Sequence, residues 1–238
     1  MIDLVIPLGK GSKWANNELR YCLRSIEKYL TDYGRLFIVG EFPDFLNSEA
    51  IHIPQPFVHG NPARNIAMNI LEACRDERLS ERFAYLNDDY FFTQPIDIST
   101  YPVYYKEDLQ QTYKKNQTEY RKHVRATIVE LERLGLPTIN YDTHYPCIFE
   151  KGKMKALIET SNFDRSFGLV LKSLYFNTYP PEQAEKRTDC KQHQAMKESG
   201  WQQLAAQTEM FSIADTAIDQ AFKNFMAAQY PTPSKYEK

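Results

Sequence analysis

The 238-residue chain has no long apolar run, no excess of one charge, little glycine and no closely spaced cysteines. Each shortage excludes something. A membrane-crossing helix needs about 20 consecutive apolar residues, and no stretch approaches that. Lys and Arg number 29 against 31 Asp and Glu, for a net charge of −2. No global field therefore draws the chain to nucleic acid or an anionic membrane. Only 9 glycines stand against 16 Tyr, 14 Phe and 2 Trp, which suits a packed interior better than flexible linkers. Cys22, Cys74, Cys147 and Cys190 form no C-x-x-C, so zinc knuckles and thioredoxin-like motifs are absent. Only Met1 precedes the first apolar run, so a standard signal peptide is not expected and a reduced, cytoplasmic protein is. There is no G-x-x-x-x-G-K-[ST] loop, no G-x-G-x-x-G and no G-x-S-x-G elbow.

The rest of the composition, 42% hydrophobic and 25% charged, is that of a soluble globular chain and names no function. The length suits one large domain, or a domain with a small appendage. Ile2–Pro7 reads as a buried strand, followed by a loop with Gly9 and Gly11. Leu19, Leu23, Ile26 and Leu30 recur at helical spacing, with Asn17 as the expected N-cap and an end near Tyr33-Gly34. Leu36–Val39 is a second strand, giving a parallel βαβ opening. Ile51–Ile53 is a third short strand, and Ile66, Ile70, Leu71 and Cys74 mark another helix. Phe83–Leu86 then runs into Asn87-Asp88-Asp89. Beyond Asp108 one long polar helix is expected to Leu134, then helices near 152–159, 169–175 and 213–226, with a frayed tail from Tyr230.

Five groups of residues could carry chemistry. Adjacent carboxylates at a strand end repel unless a cation compensates them, so Asp88 and Asp89 fit a hard divalent ion bridging a diphosphate. The same residues also fit a plain Asn/Asp turn. Pro62-Ala63-Arg64-Asn65 opens a helix, where Arg64 fits a phosphate or a surface charge beside an Asn cap. In Asp142-Thr143-His144, His144 fits a metal ligand or general base oriented by Asp142, or a histidine merely bonded in a loop. Arg20 and Arg24, one turn apart, fit phosphate or simple pairing with Glu18 and Glu27. The basic stretch from Lys114 to Arg125 fits a solvated face, or a lid over an anionic acceptor.

Asn17-Glu18-Leu19-Arg20-Tyr21-Cys22-Leu23-Arg24-Ser25-Ile26-Glu27-Lys28-Tyr29 resembles the signature helix of the Stealth family of capsular-polysaccharide phosphotransferases. Glu81–Phe92 resembles the family's second block, and His144-Tyr145-Pro146 is similar to a His-x-Pro element of its third. The family's opening Trp-Val-Asp-Gly is here Pro7-Leu8-Gly9-Lys10. Ala63-Arg64-Asn65 resembles instead an element of glycosyltransferases with a GT-A fold, where it precedes an Asp-x-Asp strand. Both resemblances imply a GT-A-like α/β fold: a Rossmann-type, mostly parallel sheet flanked by helices, with a helical C-terminal half. Residues 1–103 would form the nucleotide-sugar-binding core, and 104–238 an acceptor-side region completing the same domain.

The function so implied is a nucleotide-sugar-dependent transferase in surface or capsular polysaccharide synthesis. Its partners would be a nucleotide-sugar donor, a UDP-sugar first, and a carbohydrate acceptor, with no nucleic acid. Its cofactor would be a divalent metal, Mg or Mn, on Asp88, Asp89 and His144. Pro7, Gly9, Arg20, Arg24, Arg64, Asn65 and Asn87 would bind the nucleotide-sugar, and His144 or Asp164 would act as base or extra ligand. A non-catalytic nucleotide-sugar-binding module on the same scaffold is the alternative.

Overall fold

The computed structural model describes residues 1–56, 61–116, 118–161 and 168–238. Its main sheet has five strands in the order β4-β3-β1-β5-β9. These are β1 (Ile2–Leu8), β3 (Tyr33–Gly40), β4 (Ala50–Ile53), β5 (Arg82–Tyr85) and β9 (Cys147–Glu150). The first four are parallel, and β9 runs antiparallel to β5. A short β2 (Leu30–Thr31) pairs with β7 (Ile96–Asp97), and β8 (Tyr104–Tyr105) with β10 (Glu185–Lys186). A second sheet joins β6 (Tyr90–Phe92), β11 (Lys191–Gln192) and β12 (Met210–Ile213).

The continuous apolar runs of the strands follow from burial on both faces. Leu4, Ile6 and Leu8 of β1, with Leu36 and Ile38 of β3, enter one core; Val5, Phe37 and Val39 enter the other. The first core is covered by α1 (Asn17–Tyr29), α7 (Glu198–Gln207) and α8 (Gln220–Gln229). The second is covered by α2 (Pro62–Arg75), α4 (Tyr120–Arg133), α5 (Lys151–Thr160) and α6 (Leu171–Thr178). Each fully buried aliphatic or aromatic side chain contributes about 2 kcal/mol, so the two-sided pattern fixes the sheet's position and register. Among the described residues no helix is long and apolar enough to cross a membrane.

Several expectations need correction. The N-cap of α1 is Asn16, held at φ 57, not Asn17. The helix ends at Tyr29, because Leu30 and Thr31 pair with Ile96 and Asp97. The long helix after Asp108 is two, α3 (Leu109–Lys115) and α4. The break comes at Asn116, whose side chain accepts from the N–H and hydroxyl of Thr118 and competes with the helix. The C-terminal half is not purely helical: it supplies β9 to the main sheet and β12 to the second. Met210–Ile213 is a strand because it pairs with Phe92, Phe91 and Tyr90, so the last helix begins only at Gln220. The tail is not frayed: Tyr236 is buried, and Glu237 binds both Arg20 and Arg24.

Candidate functional site

From β1 the chain crosses through α1 to β3 and then β4 on one side, while β5 lies on the other side of β1. A crevice opens at such a reversal, outside the carboxyl ends of the strands. Here it holds a cavity of about 280 Å³. Its walls include Pro7 and Leu8 at the end of β1, Gly9 just after it, Gly40 at the end of β3, Asn65 on α2 and Asn87, Asp88 and Asp89 after β5.

The wall is made by specific local features. Gly40 sits at φ +107, where a Cβ would collide with the Leu8 carbonyl oxygen and the Asn69 amide. Asn69 uses that space to donate to the Val39 carbonyl at 2.9 Å, tying α2 to the end of β3. Asn61 caps α2 by accepting from the Arg64 N–H at 3.1 Å, with Pro62 in the first turn. That capped N-terminus presents Asn65 and Ile66 to the cavity. The Gly9–Asn16 loop is pinned by Ser12, whose hydroxyl donates to Glu18 at 2.8 Å and accepts from the Trp14 and Asn16 N–H groups.

The acid pair is asymmetric. Asp89 Oδ2 accepts from Lys191 Nζ at 3.1 Å and from the Ser212 hydroxyl at 2.9 Å. Asp89 Oδ1 is buried with no hydrogen-bond partner among the described residues. Burial, then the negative charges of Asp89 and Glu18, push the Asp88 carboxyl up to about 7. A second cavity, about 560 Å³, shares Gly9, Asp88, Asp89 and Lys191 with the first and adds Lys13, Glu18 and Asp215. The carboxylates therefore border both spaces.

Of the residues expected to bind nucleotide-sugar, Pro7, Gly9, Asn65 and Asn87 line the first cavity. Arg64 is not among its lining residues, although its own N–H closes the α2 cap. Arg20 and Arg24 turn to a carboxylate near the C-terminus. Both guanidiniums bind Glu237, at 2.6 and 2.8 Å, and Arg20 also stacks over Phe45. Burial would raise the Glu237 carboxyl, but hydrogen bonds from Arg24, the Ser234 N–H and Arg20 bring it down to about 2.

His144 does not join the acid pair. Its N–H and Nδ1 both face Asp189, at 3.0 and 2.9 Å, and Lys106 reaches the same carboxylate at 3.0 Å. Burial would raise Asp189, yet His144 and Lys106 hold it well below the usual carboxylate range. Asp142, expected to orient His144, accepts instead from the Tyr120 hydroxyl at 2.6 Å. Among the described residues no three His, Cys, Asp or Glu side chains gather to hold a metal. Asp164 lies outside the described residues.

Lys191 and Ser212 are the site residues with no signal in the sequence. They arrive on β11 and β12: β12 pairs with β6, directly after the acids, and β11 pairs with β12. All four cysteines are free and buried. No protein-family model matches the chain, and no curated protein matches it.

Proposed function

We propose that the chain is a nucleotide-sugar-dependent transferase of GT-A type, akin to the Stealth group, acting at the Asp88–Asp89 end of β5. The observation that carries this reading is Asp89 Oδ1, a buried carboxylate oxygen without a partner among the described residues, beside a cavity at the sheet's reversal. An orphaned carboxylate oxygen next to a second acid fits a hard divalent cation. Mg²⁺ or Mn²⁺ commonly takes one or two protein carboxylates and fills its remaining positions with substrate phosphate and water. Such a cation, when bound, supplies positive charge against a diphosphate.

The chain's own groups would do the rest. The nucleoside would lie between Pro7–Gly9, Gly40 and Asn65, where the capped start of α2 favours negative charge. Lys191, held by Asp89, would add a fixed ammonium next to the phosphates. In glycosyl transfer, an acceptor oxygen bonds to the anomeric carbon as the bond from that carbon to the phosphate oxygen breaks. The electron pair leaves with the nucleoside diphosphate, and the hydroxyl proton passes to a carboxylate or water. In sugar-1-phosphate transfer, the oxygen bonds instead to the β-phosphorus as the bond from that phosphorus to the bridging oxygen breaks, and the electron pair leaves with the nucleoside monophosphate. Incubation with UDP-sugars and Mn²⁺ separates the two: UDP marks the first, UMP the second. Release of neither from a broad donor panel that binds would overturn both.

Lys191 favours a second reading, a non-catalytic nucleotide-binding module. Its ammonium lies 3.1 Å from Asp89 Oδ2, where it already balances one acid. On that reading UDP binds without a divalent cation, and Lys191→Met abolishes the binding. On the transferase reading, binding of UDP to Lys191→Met still requires Mn²⁺.

A further inference from the structure

The second cavity, about 560 Å³, lies between the loop after β1, the start of α1 and the segment that leaves β12. Its volume is in the range of small-molecule sites. Gly9, Asp88, Asp89 and Lys191 also line the first cavity, so occupants of the two spaces would meet across the acid pair.

The charge of this lining is one-sided. Four carboxyl groups, on Glu18, Asp88, Asp89 and Asp215, accompany two ammoniums. Both ammoniums already have a carboxylate: Lys191 lies 3.1 Å from Asp89, and Lys13 lies 3.3 Å from Asp215. The hydroxyl protons of Ser12 and Thr216 are committed to Glu18 and to the His193 carbonyl. Glu18 is the group left incomplete. The residue is only 6% exposed, and its Oε2 accepts from Ser12 at 2.8 Å. Its Oε1 makes no hydrogen bond among the described residues, and it keeps contact with open space. Of the two cavities, only the second has Glu18 in its lining.

We propose that the second cavity seats the acceptor, that Glu18 positions an acceptor hydroxyl there, and that the acceptor is a neutral hydroxyl compound rather than one bearing phosphate or carboxylate. A hydroxyl gives Glu18 Oε1 the donor it lacks. Ile213 and Ile218 offer apolar surface to the C–H face of a ring. An anionic group would meet the carboxylates while both lysines are already paired. The word acceptor rests on the transferase reading; the ligand class rests on this cavity alone.

D-glucose and D-glucuronate, which differ only at C6, test the class by ligand-observed NMR without added divalent cation. Saturable one-to-one binding of glucose is expected, with glucuronate failing to displace it at equal concentration. A Cβ at Gly11 would meet nothing within 4 Å, so Gly11→Trp fills the cavity without a backbone clash. It should weaken glucose binding at least about tenfold and leave UDP binding with Mn²⁺ unchanged. Glu18→Gln should weaken glucose binding about tenfold and shift the ratio of the two affinities toward glucuronate, a shift that a merely structural Glu18 would not give. A melting curve on each variant establishes that it is folded. Non-saturable binding, displacement by glucuronate, equal glucose binding in folded Gly11→Trp, or an unchanged affinity ratio in folded Glu18→Gln would overturn the proposal. If wild type binds glucose as described but no nucleotide, the transferase reading fails while the ligand class of this cavity stands.

Discussion

Replacing Asp88 by asparagine separates electrostatic cost from packing, because the two side chains differ little in shape. Burial and the charges of Asp89 and Glu18 raise the Asp88 carboxyl from 3.8 to about 7. At about 1.4 kcal/mol per tenfold, that rise is an upper bound of about 4 kcal/mol against the folded state. Cleft water screens the part-exposed side chain, so about 2 kcal/mol is expected. The sign follows from proton binding. Below pH 3.8 the carboxyl is protonated in both states and costs nothing; the cost grows as pH rises and is complete above about 7. Asp88→Asn should therefore stabilise the ligand-free protein by about 2 kcal/mol near pH 8, and by less than half of that near pH 5. Urea unfolding at both pH values measures the difference. On the proposed function, Mn²⁺ with UDP should raise the melting temperature of wild type, and the same variant should lose that rise. An equal effect at both pH values, or a loss of stability near pH 8, would refute the electrostatic origin.

Two further substitutions probe the frame around the site. Glu237→Ala leaves Arg20 and Arg24 without their shared carboxylate, whose side chain is 1% exposed, and should cost about 3–5 kcal/mol by urea unfolding. In wild type that tie is fully present above pH 4.5 and is lost as pH falls through about 2, so removal of Glu237 should also blunt acid sensitivity in that window. Gly40→Ala forces a side chain into φ +107 against Leu8 and Asn69. It should cost at least about 2 kcal/mol and, on the proposed function, weaken UDP binding in the same protein, measured by calorimetry.

The parts of the fold legible in the sequence were those with local causes. The buried runs of β1, β3 and β5 carry apolar residues on both faces, and α1 and α2 carry periodic ones. Asn87-Asp88-Asp89 follows a buried strand directly, so its place at the sheet's carboxyl edge could be read without the fold. Residues whose partners lie far along the chain could not be read this way. Arg20 and Arg24 have the spacing of a phosphate clamp, but their acid stands more than 210 positions later. Lys191 and Ser212 reach Asp89 only because β11 and β12 build a sheet on β6. Met210–Ile213 is too short for periodicity to tell strand from helix, and its pairing with β6 decides the matter. The Asp142-Thr143-His144 triplet suggested one unit, yet its two titratable ends turn to Tyr120 and Asp189.

The most direct test is a crystal of the protein with Mn²⁺ and a UDP-sugar. The transferase reading predicts cation density on Asp88 and Asp89, with Asp89 Oδ1 as a ligand and the nucleotide lying against Pro7–Gly9 and Asn65. A nucleotide bound elsewhere, or bound there with no cation at the acid pair, would contradict it.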